Sequence, residues 1–331
     1  MDKKKAAMED LKTNNTVIWS DRWRLGALSR DELVNIGFAS IIIGMLFLMF
    51  HLLGNTVEDV SSRSAFTWMI ARWGDKVSFG ADYSHGYLIP FVSLGVIWHK
   101  RAEFFAATKK ICVLGLYVII AALIMHWVGA KMQQTRISLM SLILLIWGIP
   151  FYFFGWQIAK LLIFPCAYLI FCVPLNFLDA LSFPLQQAAT GISFNILNGI
   201  GLECERVGTQ LISPYFQLNV EAPCSGLRSL LAMTALTAVY AYSTQKTLIK
   251  KWLLFCLSIP IAVAGNIGRI ISIAVVSIVS GQKLGAGLYH DWSGYVLFTV
   301  AISLMVAVAK LLNVNYRELF STWKKAYLNH S

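Results

Sequence analysis

WLLFCLSIPIAVAGNIGRIISIAVVSIVS, residues 252–280, is apolar from end to end except for one basic residue, Arg269. About 20 residues cross some 30 Å of hydrocarbon as a helix. The stretch therefore reads as a membrane span with length to spare. That excess, with Pro260, Gly265 and Gly268 inside it, predicts a bend. A guanidinium in a bilayer costs about 2.5–3.5 kcal/mol on insertion scales, so Arg269 is expected to face the bundle interior. There it either serves function or makes a structural bond to Asn266 or to loop carbonyls.

The rest of the chain has the same character. With 57% hydrophobic and 14% charged residues and a mean hydropathy of +0.63, it has too little polar material to coat a soluble globule. Seven further apolar stretches, at 34–53, 85–98, 111–128, 137–154, 157–173, 225–242 and 293–312, bring the expected number of spans to eight. The second is short and contains Pro90, so a tilted or re-entrant segment fits it. The predicted fold is an all-α integral membrane protein of about eight transmembrane helices.

The net charge of +11 comes from basic residues scattered between apolar runs, which argues against a nucleic-acid partner and makes charge a record of topology. Eighteen Lys and Arg fall in the segments on one side and seven on the other. Both termini are thereby assigned to the cytoplasm, and the long 174–224 loop, with Arg206 as its single basic residue, to the outside. The first span has no small-residue cleavage site, so it reads as a retained anchor. The expected organisation is a basic leader 1–33, a membrane domain 34–312 and a basic tail 313–331.

Within the outer loop, Leu178 to Ile200 has helical apolar spacing, with Gln186 and Gln187 among the apolar residues, which predicts an interfacial helix. RVGTQLISPYFQLNVEAP, residues 206–223, alternates apolar and polar positions around Ser213-Pro214 and predicts a small β-hairpin. Its second arm leads to Cys224, with Ser225 able to cap the next helix. A cysteine at a helix N-terminus, with Arg228 one turn on, is biased toward thiolate. Two other readings stand beside this: a disulfide between Cys204 and Cys224, and an Arg228 that simply snorkels to headgroups. Cys112, Cys166, Cys172 and Cys256 read as packing residues.

Arg269 lies seventeen residues beyond Trp252, about 25 Å of helix, in the depth range expected for Cys224. LYHDWSGY, residues 288–295, then places His290 in the short outer segment before the last span. Histidine suits proton transfer near neutrality, whereas His51, His99 and His126 read as interfacial polar residues. No histidine pair has metal-ligand spacing and no Gly-rich phosphate loop occurs, so neither metal nor cofactor is expected.

PCSGLRSL (223–230), GNIGRI (265–270) and the isolated histidine of LYHDW (288–292), in that order, resemble the signature of the exosortase and archaeosortase family of membrane-embedded cysteine transpeptidases. SHGYLIP (84–90) is similar to the family's amino-proximal His-Gly segment, and the resemblance covers roughly residues 35–312. It implies catalytic roles for Cys224, Arg269 and His290, with Arg228, His85 and Asn266 as auxiliary candidates. It also implies an enzyme of the bacterial inner membrane, often linked to exopolysaccharide production. Its partners would be exported proteins carrying a carboxy-terminal motif, a transmembrane helix and a basic tail. A multispan transporter or polysaccharide flippase would also bury Arg269 but would not need the thiol.

Overall fold

The computed structural model describes residues 30–54, 64–74, 83–220 and 227–314. Apolar runs become helices because a backbone in lipid must satisfy its own polar groups. In chain order these are α1 (Arg30–Leu52), α2 (Ala65–Gly74), α3 (Ile89–His99), α4 (Arg101–Ala106), α5 (Val113–Lys131), α6 (Thr135–Phe154), α7 (Trp156–Tyr168), α8 (Asn176–Gly199), α9 (Leu227–Thr244), α10 (Leu248–Ser280) and α11 (His290–Asn313), the last entered directly from a π-helical segment, Leu284–Tyr289. Five of them, α1, α5, α6, α10 and α11, are long and apolar enough to cross a membrane. The predicted spans 85–98, 157–173 and 225–242 coincide with helices that are shorter or less apolar. The protein is an integral membrane protein, mostly helical, and it keeps large side chains such as Phe91 and Tyr295, both 72% exposed, on its helix surfaces. A water-facing surface would not tolerate so many; lipid does.

Residues 252–280 lie within α10, one continuous helix of 33 residues that holds Pro260 in its interior. Thr247 caps it by accepting from the Lys250 N–H at 3.4 Å, and Gly281, at φ +88°, ends it. Ala262 and Gly265 lie against Ala301 of α11; a methyl built on Gly265 would stand 3.7 Å from the Ala301 side chain. Small residues let two helices approach closely.

The predicted hairpin is present with one strand more. An antiparallel sheet of order β1-β2-β3 comprises Glu205–Val207, Gln210–Ser213 and Phe216–Asn219. The additional turn passes through Gly208 at φ +64°, a left-handed conformation that glycine adopts without steric cost. β3 alternates as the pleat requires, with Phe216 and Leu218 buried and Gln217 and Asn219 exposed. Phe216, Leu218 and Leu211 pack on Ile270, Ile273 and Ala274 of α10 and on Ala189 and Leu197 of α8. The sheet thus caps one end of the bundle.

Helix α2 was not foreseen in the sequence. Ser64 caps it, accepting from the Thr67 N–H at 3.2 Å, and Trp73 near its end donates Nε1–H to the Cys172 carbonyl at 2.7 Å. The 3-10 turn Ser84–Tyr87 lies over that indole, and a methyl at Gly86 would fall inside the Trp73 ring. The buried ring is fixed by its hydrogen bond and has no room to shift. Gly86→Ala is therefore expected to destabilise the protein by about 1–3 kcal/mol, an overpacking cost, read as a lowered Tm in detergent; an unchanged Tm would show that the turn repacks freely.

Candidate active site

Three elements meet near the sheet-capped end. The first is the start of α9, where Leu227 is buried beside Trp73 and Tyr83. The second is the stretch of α10 that carries Asn266 and Arg269. The third is the start of α11, where His290 follows directly on the π-helical segment Leu284–Tyr289.

Arg269 is half-buried, and its Nε donates to Ser293 Oγ at 3.2 Å. Ser293 is completely buried, and the guanidinium lies over Gly294, where a methyl would stand 3.7 Å from Cζ. Positions 290, 293, 294 and 297 share one face of a helix. The residue that holds Arg269 is therefore one turn from His290, on the same face of α11. Asn266, 6% exposed, lines the same cleft of about 50 Å³ with Ser229 of α9 and Leu297 of α11. That space accepts a few waters or one charged oxygen.

Cys224 lies outside the described residues, as does Ser225; of His290 the structure describes the backbone. The flanks of Cys224 are described. The Gln186 side-chain amide of α8 donates to the carbonyl of Val220, and Gln282 Nε2 donates to the Gln217 carbonyl at 3.2 Å. Val220, 1% exposed, and Leu227, also 1% exposed, are the fixed ends of the cysteine-bearing segment. Gln187 and Arg206 clasp each other nearby, the guanidinium also donating to the Gly208 carbonyl at 3.0 Å. The one basic residue of the long loop thus ties β1 to α8.

Arg228 is exposed in the first turn of α9. His85 stacks on Tyr83, with ring centroids 5.9 Å apart. The Tyr83 hydroxyl accepts from the Leu175 N–H at 2.9 Å and donates to the Leu175 carbonyl at 3.3 Å. Through Tyr83 and Leu227 the His-Gly turn reaches the start of α9, on the face of that helix away from Arg269.

Cys204 is a half-buried free thiol whose backbone is bracketed by the Asn198 side chain at 3.0 and 3.2 Å. Burial pushes its pKa above the ordinary 9.0. Because burial disfavours the thiolate, Cys204 is expected to react more slowly with a water-soluble maleimide at pH 7 than an exposed free thiol does, the rate rising with pH as thiolate forms. Fast labelling of a Cys204-only variant at pH 7 would contradict this.

Sequence reasoning missed Ser293 and Gly294. Their signal was available in HDWSG, since they stand three and four residues after His290. The arginine they support makes a further expectation concrete. A hydrogen bond to a charged group is worth about 1.5–3 kcal/mol, so Ser293→Ala should slow turnover roughly tenfold or more with KM little changed. A loss confined to KM would assign Ser293 to substrate binding.

Apolar helices capped at one end by a small sheet, with an arginine held between two helices beside that cap, define a membrane protein with a polar site near one face. The chain belongs to the transmembrane exosortase family, which it matches over residues 73–307. That family supports a membrane transpeptidase or protease-like role on exported proteins with sorting signals. No match is found among curated proteins or among solved structures.

Proposed function

We propose that this exosortase is a cysteine transpeptidase that cleaves a carboxy-terminal sorting signal at the outer face of the cytoplasmic membrane. The observation that carries the reading is the bond from Arg269 to Ser293, which ties GNIGRI to the helix that begins at His290. In the sequence Cys224 stands three residues before Leu227 and four after Val220, the start of α9 and the end of the sheet segment. Residues 34–312 form the membrane domain, crossing eight times, with the basic leader 1–33 and tail 313–331 in the cytoplasm.

In the first step the Cys224 thiolate attacks the scissile carbonyl, and Arg269 stabilises the resulting oxyanion. Collapse breaks the C–N bond; His290 as imidazolium gives its proton to the departing amine, leaving a thioester on Cys224. An amine or hydroxyl of a surface acceptor then loses its proton to His290 and attacks the thioester, releasing the thiolate. Water in the acceptor's place gives hydrolysis. The 50 Å³ cleft beside Arg269 has room for an oxyanion. Arg228, Asn266 and His85 act as tuning or structural groups around the three.

The test is capture of the intermediate. Membranes containing this protein and an exported substrate with motif, helix and basic tail are quenched in acid. A substrate-enzyme adduct that hydroxylamine releases is expected; processing without any such adduct would overturn the thioester.

A further inference from the structure

At the end of the bundle opposite the sheet, α7, α9 and α10 part around an apolar cleft of about 420 Å³. Small-molecule sites span about 300–1,000 Å³. Ile163, Phe164, Ala167, Ala238 and Phe255 form its walls, and Lys160 and Lys251 stand at its mouth. From Lys160 to Ala167 the wall rises about 10 Å along the helix, away from the charges and into the hydrocarbon.

The mouth is built around one ring. Tyr242 stacks on Phe164 at 3.8 Å between centroids, and two ammonium groups address it, Lys251 Nζ at 4.5 Å and Lys100 Nζ at 5.4 Å. Lys160 stands over Trp156 at 5.8 Å. Glu103 pairs with Lys100 at 3.3 Å and leaves the three lysines in positive excess. Burial pulls the Lys100 pKa down, but the Tyr242 hydroxyl and Glu103 carboxylate outweigh it, and the net shift is upward. Lys100 therefore stays charged. Like charges gathered at the mouth of a greasy slot lack an anion with an apolar tail.

We propose that this cleft binds one anionic phospholipid of the adjoining leaflet, with an acyl chain in the slot and its phosphate on Lys160, Lys251 and Lys100. Basic pockets between membrane helices recognise anionic headgroups in this way, whereas a zwitterionic lipid brings its own cation to the lysines. A substrate helix with a basic tail would meet like charge at the same mouth, which is why the lipid is the favoured occupant. The site lies far from Arg269 and does not depend on the cysteine chemistry.

The full chain would be placed in nanodiscs of phosphatidylcholine with a minor share of phosphatidylglycerol, released into detergent, and its retained lipid counted by native mass spectrometry. Wild type is expected to keep one phosphatidylglycerol per chain, enriched roughly tenfold over its share of the bilayer. Lys160→Ala with Lys251→Ala should abolish the enrichment. Ala238→Trp, which fills the slot and leaves every charge in place, should abolish retention as well. Equal retention of the two lipids, or enrichment unchanged by either variant, would overturn the proposal. So would full displacement by millimolar inorganic phosphate, since the ligand would then be a free anion. A photo-crosslinker at Ala238 should capture lipid; capture of the substrate helix in its place would reassign the cleft. None of these readouts involves processing, so they stand or fall separately from the transpeptidase reading.

Discussion

Cys224→Ala is expected to reduce substrate processing by at least about ten-thousandfold, to below detection on a gel, while Cys204→Ala processes normally. Loss of a covalent nucleophile removes the whole acyl-enzyme route, and single removals of such groups cost on the order of 10⁴ to 10⁶ in rate. The two cysteines occupy the same loop, so the pair also separates the thiol from a disulfide. A bridge between them would make both variants equally defective. Cys204 has its backbone held by Asn198, and burial raises the pKa of its thiol; neither property suits a nucleophile. Normal processing by Cys224→Ala would remove the cysteine mechanism and return the transporter reading to the front.

Arg269→Ala is the second large effect. Removing a single oxyanion donor costs about 10²–10³ in turnover, and a cation adjacent to a developing negative charge belongs at the upper end of that range. Arg269→Lys keeps the charge but loses the planar guanidinium whose Nε reaches Ser293, so it is expected to recover only a small part of the activity. Thermal stability measured on the same preparations separates catalysis from scaffolding. If both variants unfold early and regain full rate per folded molecule, Arg269 is a structural arginine.

Hydropathy made the long helices legible because hydrocarbon thickness dictates a length that soluble helices rarely reach, and α1, α5, α6, α10 and α11 carry that length plainly. Arg269 was legible for the complementary reason, since an isolated charge in such a run is costly. Helix α2 was not: ten residues ending in Arg72, Trp73 and Gly74 fall short of a span, and its reason for being is Trp73 docking on a carbonyl ninety-nine residues away. The full length of α10 was less legible, because Pro260 and the two glycines weaken helix propensity locally, while the packing of Gly265 near Ala301 comes from another helix. Ser293 falls between these cases. Its spacing from His290 was visible, but a serine in an apolar helix has many uses until its partner is known. For Cys224 the sequence supplies the motif, and the structure supplies its two flanks.

The uninterrupted course of α10 has one more consequence. Eighteen residues separate Lys251, at the cleft, from Arg269, near the sheet-capped end, a distance of about 27 Å along the helix. A helix of that length is a gauge. It cannot shorten in a thin bilayer or stretch in a thick one, so the membrane or the tilt of the protein must adjust around it. Acyl-chain length in the host membrane thereby becomes a determinant of where a substrate's cleavage point comes to rest relative to Arg269.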